Sequence, residues 1–136
     1  MYTRKMFLPV LILVLLATMT VTAQEPLRLK LNALERFEYL ALLPEKASLV
    51  NWNIINDLKA QLAPNNEELK LLDLKPSETG GINGNWNAVP KKEIVFGESA
   101  EKLIADALQK LDREGQLSVN QYLIYKQFVL KETPEE

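Results

Sequence analysis

Residues 98–130 read ESAEKLIADALQKLDREGQLSVNQYLIYKQFVL, and this stretch decides the fold class. Ala100, Leu103, Ile104, Ala107, Leu108 and Leu111 recur at i, i+3, i+4, i+7, i+8 and i+11, one stripe of a helix with about 3.6 residues per turn. On another face Glu98, Lys102, Asp106, Lys110 and Glu114 follow at four-residue steps with alternating sign. Such a ladder is solvated, and each pair contributes a few tenths of a kcal/mol. The spacing predicts an amphipathic helix over 98–114, with Gly115 just past its end, where left-handed backbone suits glycine. Ser118 followed by Gln121 makes a capping box that opens a last helix reaching about Leu130. Val119, Tyr122, Leu123, Ile124, Tyr125, Phe128 and Val129 make that helix apolar over most of its surface. It should be the central, most buried helix, or part of it should face a partner. Beyond it, Lys131 to Glu136 is charged and broken by proline, a tail expected to fray over 132–136.

Working back towards the N-terminus, Leu27, Leu29 and Leu31 alternate with Arg28 and Lys30, the two-residue period of a short strand. Asn32 with Glu35 reads as a capping box. Leu34, Phe37, Leu40 and Ala41 then line one helical face, and Pro44 ends the run. A second helix is expected from Asn51, as its N-cap, to about Leu62, with Ile54, Ile55, Leu58 and Leu62 on one stripe. Pro64-Asn65-Asn66 stops it and caps a short third helix, Glu67 to Leu72. Glu67 and Glu68 suit that first turn, because the helix dipole favours negative charge there.

Residues 77–87 are rich in turn formers. Asn83-Gly84 is a strong two-residue hairpin signal, since a type I′ turn needs positive φ at both positions. A strand around Asn85 to Ala88 could pair with Glu93 to Phe96, or Leu72 to Lys75 could pair with either. The expected fold class is α+β and mostly helical: four or five short helices with a small β-hairpin or three-stranded sheet. It forms a single small globular domain over residues 24–131.

Residues 1–23 have a different character. Arg4 and Lys5 precede an apolar run from Met6 to Ala17, broken only by Pro9, and Val21-Thr22-Ala23 supplies small or β-branched residues before Gln24. Positive charge, grease and a small-residue site in that order predict a secretory signal peptide cleaved near Ala23. The run has about 12 apolar residues before threonines accumulate, whereas a spanning helix needs about 20. The protein is therefore expected to be exported, periplasmic or secreted, touching a membrane only through its leader. Retention of an uncleaved leader as a membrane tether is the alternative.

Composition narrows the chemistry. The formal net charge is −2, and without Arg4 and Lys5 it becomes −4, which favours solubility and argues against a phosphate-binding surface for nucleic acid. There is no Cys, so no lipid anchor on cysteine and no disulfide is possible, and the fold must hold by its core. No Asn-x-Ser/Thr sequon occurs. There is also no His, which removes the commonest general base at neutral pH and the His- and Cys-rich metal sites. Of Ser48, Ser77, Ser99 and Ser118, only Ser99 stands three residues before a lysine, Lys102, and none lies in a Gly-x-Ser-x-Gly context; Ser99 and Ser118 read as residues of helix starts. Asp112 to Ser118 carries Gly115 in the fourth position, not the sixth that a calcium loop requires. Gly80-Gly81 and Gly84 lack the Lys-Ser/Thr of a phosphate loop and read as turn glycines. No catalytic residue, cofactor or metal is expected.

Three acidic pairs, Glu35/Glu38, Glu67/Glu68 and Glu98/Glu101, could by type serve a glycosidase-like hydrolase. All fall in predicted first turns of helices, where carboxylates have an electrostatic reason to sit. Trp86 is flanked by Asn83, Asn85 and Asn87. An exposed indole among amides could stack on a sugar ring or anchor a protein contact. The competing reading folds Trp86 inward and leaves the asparagines to the turn. Trp52 is expected in the core.

The segments Glu35-Arg36-Phe37, Leu42-Leu43-Pro44-Glu45-Lys46, Glu93 to Glu98 and Lys110 to Ser118 are similar in order and spacing to small uncharacterised helical proteins of bacteria and phages. The resemblance covers roughly Leu29 to Val129. It implies a helical fold, carries no assigned activity and transfers no functional residue. The leader departs from a cytoplasmic or virion-component role. The functional expectation is a non-catalytic exported binding or interaction protein. Its partner is a protein or a glycan, met by the Trp86 region and a face of the last helix. A small envelope hydrolase using paired carboxylates is the alternative.

Overall fold

The computed structural model describes residues 25–133. The leader expected over 1–23 and the last three residues of the expected tail lie outside them. The described elements are a strand β1 (Leu27–Leu31), helices α1 (Ala33–Leu42), α2 (Leu49–Leu62) and α3 (Asn66–Leu72), short strands β2 (Lys75–Pro76) and β3 (Ile82–Asn83), a 3-10 turn (Trp86–Ala88), strand β4 (Lys92–Phe96), and helices α4 (Glu98–Arg113) and α5 (Val119–Phe128). The class is α+β, mostly helical, with five α-helices and two antiparallel two-stranded sheets among the described residues.

The alternation in residues 27–31 does form a strand, but its partner is distant in sequence. β1 pairs antiparallel with β4, placing Leu27 opposite Phe96, Leu29 opposite Ile94 and Lys30 opposite Glu93. The leucines, Ile94 and Phe96 share the inward face, while Arg28 reaches Glu93 at 2.9 Å on the outer one. The outer edge of β4 is closed by a side chain. Val95 donates its N–H to Gln61 Oε1 at 2.9 Å, and Gln61 Nε2 donates to the Val95 carbonyl at 3.2 Å. One amide thus stands in for a neighbouring strand and satisfies both backbone groups of an edge residue.

Helices α4, α2 and α1 cover the ribbon. The main core centres on Tyr39, Phe96 and Phe128, whose ring centroids lie 5.3–5.7 Å apart, with Leu42, Ile55, Leu58, Leu62, Ile94, Ile104 and Leu108 around them. A smaller cluster forms on the other side of α1 from Ala33, Leu72 and Val89, with Phe37, Leu74 and Trp86 against it.

Several local expectations require correction. The Asn32 cap accepts from Glu35 N–H at 2.8 Å, but Glu35 takes the Asn32 side-chain amide instead of its backbone N–H. The reciprocal box is therefore incomplete. The buried face of α1 is Ala33, Arg36, Tyr39 and Leu42, while Leu34 and Ala41 are exposed. Arg36 lies on that buried face, drawn inward by Glu68 on α3. Helix α2 starts at Leu49 with Ser48, not Asn51, as N-cap, so Asn51 supplies the capped N–H. The hairpin turns at Gly80 and Gly81, at φ +89° and +86°, joining β2 to β3. Asn83-Gly84 is not its turn, and residues 86–88 form the 3-10 turn in place of a strand. A Cβ at Gly84 would stand 2.7 Å from Leu74 Cδ2, so close packing is the reason for glycine there. Asn65 with Glu68 and Ser118 with Gln121 form complete capping boxes, and Gly115 has φ +66° as its place after α4 requires. Helix α5 is not the most buried helix. It buries Ile124 and Phe128 only and leaves Val119, Tyr122 and Leu123 in solvent.

Candidate binding site

The sequence singled out Trp86 and its asparagines. The 3-10 turn lays Trp86 edge-on against Phe37, with centroids 5.6 Å apart at 72°, so the indole is half-buried on the smaller core cluster. Asn83, Asn85 and Asn87 are exposed. Asn83 and Asn85 border a shallow depression with Asp73, Lys75 and Gly84; Trp86 and Asn87 lie outside it. The amides and the indole therefore do not converge on one concave surface. Trp52 is half-buried against the main core, and Lys59 Nζ sits 5.7 Å over its ring.

The acidic pairs separate by environment. Glu67 and Glu98 are exposed, and Glu101 faces Lys131 at 3.7 Å. Glu68 meets Arg36, whose side chain is 1% exposed, at 2.5 Å. Burial pushes the Glu68 carboxyl upward, but hydrogen bonds from Arg36 and the Asn65 N–H, with the charges of Arg36 and Lys92, outweigh it and hold the group below the ordinary glutamate value. Arg36 Nε has no partner among the described residues. This ion pair fastens α1 to α3.

Glu35 and Glu38 are different. Both line a cleft of about 590 Å³ between α1 and α5, within the usual size range of ligand pockets, about 300–1,000 Å³. The i, i+3 and i+4 spacings of α1 present Leu34, Glu35, Glu38 and Tyr39 to it, and those of α5 present Asn120, Leu123, Ile124 and Gln127. Leu31 and Asn32 form one end, and Glu132 and Thr133, following α5, form another side. Asn120 Nδ2 donates to Glu38 Oε1 at 2.6 Å, bridging the two helices. Asn32 Nδ2 donates to Glu35 Oε1 at 2.8 Å. Each carboxylate therefore has one oxygen held by an amide and the other without a partner among the described residues.

Tyr39 lies beneath them at 3% exposure. Burial, then the charges of Glu35 and Glu38, push its phenol far above the ordinary tyrosine range, so it stays protonated. Its ring belongs to the aromatic core, while its hydroxyl finds no hydrogen-bond partner among the described residues. The apolar part of the cleft runs outward. Leu34 is 41% exposed and Leu123 57%, and Val119 and Tyr122 continue the exposed stripe along α5. Lys126 Nζ lies 5.3 Å over the Tyr122 ring.

Sequence reasoning missed this cleft because its walls are more than 80 residues apart, as the Glu38–Asn120 contact shows. The available signal was the excess of apolar residues on the last helix, which exceeds what one buried stripe needs. Among the described residues no group of three or more acidic side chains is placed to hold a metal ion, and no helix is long and apolar enough to cross a membrane. No protein-family model, no curated protein and no solved structure matches this chain.

Proposed function

We propose that this protein is an exported, non-catalytic binding protein that receives its partner in the α1–α5 cleft. The observation that carries the reading is the exposed stripe of Val119, Tyr122 and Leu123 running into a cleft with open polar groups at its base. Large apolar side chains in a contiguous patch beside convergent polar groups are the usual mark of a contact surface. Export rests on the charge, grease and small-residue order of residues 1–23. The hydrolase alternative gains one favourable fact, since Glu35 and Glu38 share the cleft. They stand one helical turn apart on a single helix, however, and the third carboxylate lining the cleft, Glu132, sits on the exposed segment after α5. A glycosidase needs its pair to flank the scissile bond from opposite sides, so the binding reading is favoured.

A photo-crosslinking residue at position 123, with one at the exposed Asn53 of α2 as control, tests the site in cells producing the full-length chain. A discrete adduct at 123, absent at 53 and removed by Leu34→Asp, is the expected outcome. No adduct at 123, or the same adducts at both positions, would end this reading. Intact mass of the native protein tests export: the chain should begin at Gln24 and be found outside the cytosol.

A further inference from the structure

Resting on that reading of the cleft, we infer that its occupant is a basic, amphipathic segment of a partner protein, which inserts an arginine or lysine side chain towards Glu35 and Glu38. Charge complementarity argues for this occupant. Among the described residues, Glu35, Glu38 and Glu132 line the space against one ammonium, that of Lys126, and this ammonium is drawn over the Tyr122 ring at the outer edge. The local balance is acidic, and two carboxylates i and i+3 on one helix face repel each other until a cation lies between them. The open oxygen of each can accept from such a cation, because only Oε1 of each is engaged by an amide.

Tyr39, buried as a residue and lining the cleft, is the second, independent observation. Its hydroxyl is a polar group on a residue that is 3% exposed and lines the cleft, and it has no hydrogen-bond partner among the described residues. Held protonated by its surroundings, it can accept a hydrogen bond from an incoming N–H while its O–H donates one to a carboxylate or to solvent. Above it, Leu34 and Leu123 present alkyl surface at the mouth. A long basic side chain has this polarity in reverse order, an alkyl stem ending in a donor-only cation. Arginine's planar fork can reach two carboxylates at once. The apolar neighbours of that residue in an amphipathic segment would then lie on Val119, Tyr122 and Leu123. A neutral sugar would leave the carboxylate pair uncompensated, and the cleft shows no open aromatic face at its base.

The test is titration of the full-length protein, isotopically labelled for amide NMR, with an acetylated and amidated Leu-Arg-Leu-Lys-Leu peptide. The comparison probes are the same peptide with citrulline and norleucine in place of arginine and lysine, and a neutral chito-oligosaccharide. The cationic peptide should shift amides of residues 32–39 and 120–127 and bind at least tenfold tighter than the uncharged peptide. Its affinity should fall at least fivefold between low salt and 0.5 M salt, and at least tenfold in Glu35→Gln/Glu38→Gln. Those changes keep the side-chain volumes and leave an acceptor for Asn32 and Asn120, and circular dichroism checks that the fold persists. Equal binding of charged and uncharged peptides, or an unchanged double variant, overturns the inference. Cleft shifts from the oligosaccharide alone, or from raising the protein concentration alone, also overturn it while preserving the cleft as a binding site. Shifts confined to other elements remove both the inference and the reading beneath it.

Discussion

Glu68→Gln changes one atom type in the ion pair that fastens α3 to α1. Arg36 is 1% exposed and Glu68 17%, with Nη2 2.5 Å from Oε2 and Nη1 3.5 Å from Oε1. Removing one partner of a buried pair strands the other charge, at about 3–5 kcal/mol. Glutamine keeps a neutral acceptor in the same place and also serves at the third helical position of a capping box, and Glu68 retains some contact with water. These reduce the expected loss to about 2 kcal/mol, about 8 °C in Tm for a domain of this size. Thermal and urea unfolding followed by circular dichroism at pH 7 would measure it. The sign with pH follows from the depressed carboxyl. A group whose folded value lies below its ordinary value near 4.5 contributes in full above that value and loses its contribution as pH falls through the folded one. The gap between wild type and Glu68→Gln should therefore close in acid. In an Arg36→Met background the same change should cost no more than about 0.5 kcal/mol, because no buried charge is left to strand. A loss equally large in that background, or a gap unchanged in acid, would refute the reasoning.

Four further substitutions separate the forces described above. Phe128→Ala opens the aromatic centre of the core and should destabilise by about 3–5 kcal/mol in urea unfolding. Ser118→Ala removes the acceptor for the Gln121 N–H and should lose about 1 kcal/mol without moving the folded near-UV spectrum. Gly115→Ala meets no neighbour within 4 Å, so its cost of about 1 kcal/mol should come entirely from the left-handed backbone. Tyr39→Phe should leave Tm within about 2 °C, since its hydroxyl has no hydrogen-bond partner among the described residues to lose. It should nonetheless weaken the cationic peptide, so a large drop in stability would show that the hydroxyl is structural.

How much was legible follows from the range of each force. The helix over 98–113 and its glycine stop were readable because the stripe, the charges and the cap all lie within a few turns of one another. The cap of the third helix at Asn65 and the capping box at Ser118 were readable for the same reason. The hairpin was misplaced because Asn83-Gly84 satisfies the local rule for a turn, whereas packing against Leu74 claims that glycine and hands the turn to Gly80 and Gly81.

The linear order of residues determined by itself which segments are helical, where most of them start, that the core must hold without disulfides, and that His and Cys chemistry is absent. Tertiary structure decided that β1 pairs with β4, that Arg36 goes inward, and that Glu38 and Asn120 face each other across a cleft. The physical reason is separation along the chain. Caps and periodicity act over one or two turns and leave a trace in adjacent letters. An ion pair between α1 and α3, or a cleft between α1 and α5, depends on which distant surfaces meet, and no local pattern records that meeting.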